Sequence, residues 1–277
     1  MLFYFSATGN TKHVVDIIKL NDETIISIEE ATRRNTYQFQ LSESRLGIIT
    51  PTYDFVLPSI VEEFLQKLDI RFDNKPYTFY VGTYGTTTGA ASAITDAIMK
   101  PKGLALDAKF DICMPDTWTV LFDLSNKKKV AETITKAEAE IDELKKQLSA
   151  KVTGKHMGPT APKCAGAIGK LIYDNKVRKT KKLSVSETCS GCGSCAKKCP
   201  VQAIEMRGKV PVWVKQECTM CLGCLHRCPN YSIYYGNGKA TNAHGQYTYR
   251  KTASKNERAL QLKLIVFVSG RQESRPA

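Results

Sequence analysis

Over the first 150 residues, short apolar runs alternate with stretches in which apolar residues recur every three or four positions. Short apolar runs suit buried strands and the three-to-four period suits amphipathic helices, so the alternation predicts repeated β–α–β units. Leu2–Phe5 reads as the first strand, and Thr11–Leu20 as a helix with Val14, Val15, Ile17 and Ile18 on its inner face. Strands are expected again at Thr24–Ile28, Leu46–Ile49 and Tyr77–Val81, with a fifth inside Leu104–Met114. Helices are expected over Ile60–Leu68 and Ala90–Met99. Val130, Ile134, Ala137, Ile141, Leu144 and Leu148 then recur at intervals of four and three, which predicts a long amphipathic helix over roughly 126–148. Glu29–Gln40 is weakly patterned, and no full helix is expected there. The fold class read from this order is α/β: a doubly wound parallel five-stranded sheet, with its ligand at the carboxyl ends of the strands.

The pattern breaks across Ser149–Val185, which is rich in Gly, Pro, Ala and Lys and ends in Arg178-Lys179-Thr180-Lys181-Lys182. This divides the chain into a first domain over 1–150, a basic linker over 151–185, a small second domain over 186–250 and a tail over 251–277. Within the linker, Ala165–Tyr173 is expected to form a short helix with Ile168, Leu171 and Ile172 on one side. Val210, Val212 and Val214, with Trp213, read as a short hairpin strand in the second domain. The tail mixes a charged segment with the apolar run Leu264–Val268, and reads either as a docked strand or as an extension.

Eight of the ten cysteines form two copies of one pattern. The first is Cys189-x2-Cys192-x2-Cys195-x3-Cys199-Pro200, and the second, 29 residues on, is Cys218-x2-Cys221-x2-Cys224-x3-Cys228-Pro229. Thiolates at these spacings ligate iron–sulfur clusters, in the arrangement of bacterial two-cluster ferredoxins. Three close cysteines hold three corners of one 4Fe–4S cube, and the fourth reaches across to the other cube. On that logic Cys189, Cys192, Cys195 and Cys228 hold one cluster, and Cys218, Cys221, Cys224 and Cys199 hold the other. Paired zinc sites would leave the third cysteine and the C-x3-C-P step unexplained. A disulfide scaffold would need an oxidising compartment, to which nothing in the chain points. Cys113 reads as a buried structural thiol, and Cys164 has no partner in a motif.

The net charge of +13 is unevenly spread. Residues 1–150 carry 17 Lys/Arg against 21 Asp/Glu, a net −4, whereas residues 151–277 carry 23 against 6, a net +17. Each oxidised cube with four thiolates brings a charge of about −2, so part of the excess compensates the cofactors. The remainder favours docking to redox partner proteins with acidic surfaces. A nucleic-acid partner is not expected, because the chain lacks a recognition motif and its basic residues are not interleaved with stacking aromatics. The apolar start Met1–Phe5 is too short for a signal peptide, and no run approaches the ~20 apolar residues of a membrane span, so a cytoplasmic location is expected.

The loop after the first strand reads Ser6-Ala7-Thr8-Gly9-Asn10-Thr11. It is neither a Walker loop nor a GxGxxG fingerprint. It offers three hydroxyls, one Asn side chain and backbone N–H groups converging on a helix start, which together make a phosphate cradle without a cationic side chain. Here the chain resembles the flavodoxins, whose FMN phosphate loop has the form Ser/Thr-x-Thr-Gly-x-Thr; Ser6, Thr8, Gly9 and Thr11 match it. The resemblance implies that two further loops hold the isoalloxazine: Thr50-Pro51-Thr52-Tyr53-Asp54-Phe55 and Gly82-Thr83-Tyr84-Gly85-Thr86-Thr87-Thr88-Gly89. In that reading Pro51, Thr52, Thr83, Gly85 and Gly89 offer contacts, and Tyr53 and Tyr84 either stack on the ring or pack at its rim. Trp118 either lies over the ligand as a lid or packs under the last helix. His13 is expected to face outward from the first helix, and no His or carboxylate constellation is expected near the flavin loops.

Taken as a whole, residues 1–250 resemble bacterial flavodoxin–ferredoxin fusion proteins, a flavodoxin-like domain followed by a small α+β ferredoxin-like two-cluster domain. The resemblance implies an electron-transfer protein with FMN and two 4Fe–4S clusters. Two other readings remain open at this point. One is a catalytic flavoenzyme fed through the clusters, and the other is a ferredoxin with a flavin-free docking domain. No second dinucleotide fingerprint points to NAD(P)H oxidation by this chain alone.

Overall fold

β1 (Leu2–Tyr4) leads through the Ser6–Gly9 loop into α1 (Asn10–Ile18), and β2 (Ile25–Ser27) runs directly into the short α2 (Ile28–Arg33). Ser27 caps that helix by accepting from the Glu30 N–H. β3 (Gln38–Leu41), β4 (Arg45–Pro51), α3 (Ser59–Lys67), β5 (Asp69–Phe72), β6 (Tyr77–Tyr84), α4 (Ala91–Met99), β7 (Ala108–Cys113) and α5 (Lys127–Ser149) follow, and β8 (Gly154–His156) ends the first domain. The computed structural model describes residues 1–158, 163–236 and 244–249, with 163–165 described by backbone alone. The tail 251–277 and the side chain of Cys164 lie outside the described residues.

The main sheet is parallel, in the order β2-β1-β4-β6-β7-β8, while β3 and β5 pair separately. Counting its strands along the chain gives 2-1-3-4-5-6, the flavodoxin-like doubly wound order, with its switch point between β1 and β4. The five expected strands are all present. The sixth, β8, is added at the edge inside the segment read as linker, where the Gly154 N–H donates to the Asp107 carbonyl at 2.8 Å.

Both faces of the sheet are covered, which explains why β4 and β6 are buried along almost their whole length rather than on alternate residues. Phe3, Leu46, Ile48 and Tyr80 face α2, α3 and α4, packing on Ile28, Ile60, Phe64 and Met99. Leu2, Ile49, Phe79, Val81 and Phe110 face the other way, onto Val14, Val15 and Ile18 of α1 and Ala137, Ile141 and Leu144 of α5. The two-residue strand period thus feeds two separate cores.

The segment 163–182 is structured. α6 (Lys163–Ile172) continues into a wider turn over Tyr173–Val177. Tyr173 is fully buried there; its hydroxyl donates to the Thr219 carbonyl at 2.8 Å and accepts from the Ser59 N–H at 3.2 Å. β9 (Leu183–Val185), at the end of the segment read as linker, pairs antiparallel with β12 (Ile233–Tyr235). Between them lie α7 (Ser194–Lys197), the hairpin β10 (Ile204–Arg207) and β11 (Val210–Trp213), and α8 (Gly223–His226). The 29-residue repeat is visible as structure: each cysteine loop ends in a four-residue helix and a turn whose fourth cysteine sulfur accepts a backbone N–H. Those bonds are Ala203 N to Cys199 Sγ and Ser232 N to Cys228 Sγ, both 3.2 Å.

Candidate functional site

The carboxyl ends of the central strands open into a cavity of about 480 Å³. That falls within the range of about 300–1,000 Å³ typical of small-molecule sites. Its wall brings together Ser6, Ala7, Thr8, Asn10 and Thr11 from the first loop, Pro51, Thr52 and Tyr53 from the second, and Thr83, Tyr84 and Gly85 from the third. Two glycines named with them, Gly9 and Gly89, are not in the wall and serve the backbone. Gly9 sits before α1 at φ +102°, and Gly89, at φ +53°, lies so close to the Phe55 backbone that any side chain would collide.

The first loop is held by side-chain bonds, one local and two to the neighbouring strand-end loops. The Lys12 N–H donates to Ser6 Oγ at 3.1 Å, Thr11 Oγ1 and Thr83 Oγ1 lie 2.7 Å apart, and Asn10 Nδ2 donates to the Pro115 carbonyl at 3.1 Å. The loop therefore presents hydroxyls and the start of α1 to the cavity, the setting that favours a phosphate. The second loop holds Asp54 and Phe55 at φ +47° and +69°, conformations costly for residues with a Cβ. Asp54 Oδ2 is buried with no hydrogen-bond partner among the described residues, and Asp54 lines the cavity. A polar ligand would satisfy it.

Two features in and beside this wall differ from expectation. Carboxylates do converge here: Asp54 and Asp116 both line the cavity, and burial pushes both carboxyls above their ordinary range. They are 62 residues apart in sequence, so no local pattern shows them together. His13 does not face outward. It is buried, stacks on Tyr249 with ring centroids 4.0 Å apart, and lies 2.7 Å from Glu138 Oε1. Trp118 lines the cavity and also meets Tyr235 edge-on at 5.2 Å, so it packs between the two domains. Cys113 is half-buried, with its thiol donating to the Gly85 carbonyl at 3.8 Å.

Part of the cavity wall comes from the cysteine repeat. Met220, Cys221 and Leu222 line it, and the same three residues line a second, smaller cavity with Cys199, Cys218 and Cys224. Cys221 is thus the shared wall. Met220 and Leu222 hold it there in left-handed conformations, φ +48° and +52°. Val201 and Cys221 pack on the core of the first domain. Burial pushes the thiols up, Cys218 to about 11, Cys221 to about 12 and Cys224 well above its ordinary value, with neighbouring thiolates adding to the cost. Thiols gathered at such cost are what metal displaces protons from. Among the described residues no three His, Cys, Asp or Glu groups close around a single ion, whereas a cube takes one thiolate at each iron. The other group is more open: Cys192 is exposed, and Cys189 and Cys195 are half-buried.

Residues 181–229 match the 4Fe–4S dicluster domain family. The chain joins a flavodoxin-like sheet to a 4Fe–4S dicluster domain. No curated protein matches the chain. Among solved structures, a flavodoxin of Streptococcus pneumonia TIGR4 is similar at 20% identity and a TM-score of 0.35, covering 55% of this chain and 97% of that one. The rubredoxin oxygen:oxidoreductase of the anaerobe Desulfovibrio gigas is similar at 14% identity and a TM-score of 0.31, over 53% of this chain and 36% of that one. The Trp repressor binding protein of Bacillus subtilis is similar at 8% identity and 0.30, over 51% and 99%. The flavodoxin-like assignment rests on the strand pairing in this chain itself. Among the described residues no helix is long and apolar enough to cross a membrane.

Proposed function

We propose that the chain is an electron-transfer iron–sulfur flavoprotein in which FMN and two 4Fe–4S clusters serve as one redox unit, working with partner oxidoreductases in the cytoplasm. The observation that carries this reading is the shared wall: Cys221 lines both the cavity at the strand ends and the cavity lined by Cys199, Cys218 and Cys224. Bound FMN takes electrons singly or in pairs, and each cluster passes one at a time. Ser6, Thr8 and Thr11 would hold the phosphate, Asn10 would brace their loop, and Pro51, Thr52, Tyr53, Thr83, Tyr84 and Gly85 would enclose the ring. Cys199, Cys218, Cys221 and Cys224 would hold the inner cluster, and Cys189, Cys192, Cys195 and Cys228 the outer one. Cys192 is exposed, and Lys197, Lys198, Arg207 and Lys209 of the same repeat are exposed too, basic residues suited to an acidic redox partner.

The test is an anaerobic preparation analysed for flavin, iron and sulfide. One FMN and two cubes per chain are expected; a preparation that holds the cubes yet takes up no FMN would leave the first domain as a docking module. Asp54 and Asp116 favour a second reading, a flavoenzyme with a protonatable carboxyl beside its ligand. Turnover with pyridine nucleotides or quinones by the loaded protein alone would select it.

A further inference from the structure

His244–Tyr249 runs from the dicluster domain to the phosphate loop. On the dicluster side, Gln246 Nε2 donates to the carbonyls of Leu225 and Cys228, at 2.7 and 2.9 Å, and the Tyr247 N–H donates to His226 Nδ1 at 3.2 Å. On the other side, the Tyr247 hydroxyl donates to Asn10 Oδ1 at 2.7 Å and the Tyr249 N–H to the Thr8 carbonyl at 2.7 Å. The Tyr249 ring lies on His13, its hydroxyl donates to Glu138 Oε1 at 2.9 Å, and its Cβ would sit 3.0 Å from a Cβ added at Gly9. Arg227, next in the chain to His226, donates to the Ala7 carbonyl. Four successive residues of the loop, Ala7, Thr8, Gly9 and Asn10, are therefore held from outside by groups at or beyond α8.

We propose that Gln246–Tyr249 is a strap that belongs to the phosphate site and makes FMN binding conditional on an assembled dicluster domain; this rests on the FMN reading above. The anchors of the strap are Leu225, His226 and Cys228, in and just after a four-residue helix. A module this small draws much of its folding free energy from its metal. Without the clusters those anchors lose their fixed positions, and the bonds that orient Asn10 and the Thr8 peptide go with them. The loop then has to be ordered by the ligand alone, which weakens binding. Linkage makes the effect reciprocal: whatever the clusters add to FMN affinity, FMN returns as resistance to cluster loss.

The experiment uses the full chain, prepared anaerobically with clusters loaded. FMN affinity is read from quenching of flavin fluorescence in the unaltered protein, Gln246→Ala and Tyr247→Phe, and iron loss to a chelator is followed with and without FMN. Gln246 is the decisive position, since its bonds to the Leu225 and Cys228 carbonyls lie on the dicluster side and any effect on FMN must pass along the strap. Each substitution should weaken FMN by roughly tenfold, the scale of a lost bond that strands a buried partner. FMN should slow iron loss severalfold in the unaltered protein and much less in Gln246→Ala. If Gln246→Ala loses its iron during preparation, Tyr247→Phe, which removes only the bond to Asn10, decides. Equal FMN affinity in all three proteins would overturn the strap while leaving the FMN reading intact. An unaltered protein that holds its clusters and binds no FMN would overturn both.

Discussion

The two cysteine groups come from one 29-residue repeat and differ in burial, most at Cys192, which is exposed, and Cys199, which is buried. Cys199 is buried, and burial raises the thiols of Cys218, Cys221 and Cys224. Their loop is also held by groups outside the repeat: Arg33 of α2 donates to the Cys199 carbonyl at 3.5 Å, and Arg178 to the Cys218 carbonyl at 3.2 Å. In the other group Cys192 is exposed, and Cys189 has the Lys209 carbonyl 4.0 Å away. Similar ligand spacing with different packing gives one site facing the flavin-type cavity and one facing solvent. Burial and local charge set cluster potentials, so the two sites are suited to different tasks, exchange within the chain and exchange with partners.

The sharpest way to break this comparison is to remove one ligand from each side. Cys221→Ser and Cys192→Ser should each cost about half of the iron, since each cube depends on four thiolates. Only Cys221→Ser should also disturb the flavin site, because only Cys221 lines that cavity. Iron analysis and flavin titration of both variants check this; equal flavin affinity in the two would remove the distinction. Next in size are two glycines near the outer group. At Gly191, φ +70°, an added Cβ would lie 2.8 Å from that of Lys209, whereas at Gly208, φ +62°, it would meet nothing within 4 Å. Gly191→Ala should cost about 2–4 kcal/mol, strain plus overlap, and Gly208→Ala about 1–2 kcal/mol, strain alone. Urea unfolding of the loaded proteins measures both.

A smaller effect probes the dryness of the shared cavity. Burial holds the Asp116 carboxyl above its ordinary value of 3.8. A carboxyl raised in this way resists ionisation in the folded chain, so stability falls as the pH rises from that ordinary value through the raised one. Asp116→Asn removes the cost: it should be neutral in effect near pH 3 and stabilising by no more than about 1 kcal/mol at pH 7, a rise in melting temperature of about 2–4 °C. An equal effect at both pH values would mean that the wall near Asp116 is wet.

Much of this arrangement was legible in the chain because its signals are local. The eight repeated cysteines lie within a few residues of one another, and the Ser6–Thr11 loop that lines the cavity is six consecutive residues after a strand. Long apolar strands and a heptad-like α5 declare themselves in the same way. What was not legible depends on distant partners. His13 is buried because Tyr249 stacks on it from 236 residues away. β8 is three residues long with no alternation, and exists as an edge strand only because β7 pairs with it. The segment read as linker is pinned in part by Tyr173, whose partners Ser59 and Thr219 come from both domains. Gly9 and Gly89 belong to loops whose other residues line the cavity, yet what they accommodate is neighbouring backbone and Tyr249 rather than the cavity.

The central claim is that flavin and clusters form one unit within a single chain. Its most direct test is the concentration dependence of flavin reduction after rapid anaerobic reduction of the clusters in the intact, loaded protein. Transfer across the wall formed by Cys221 is intramolecular, so the observed rate constant should stay the same as protein concentration is raised tenfold. A rate constant that rises in proportion to concentration would contradict the account, because the flavin would then be drawing its electrons from other molecules.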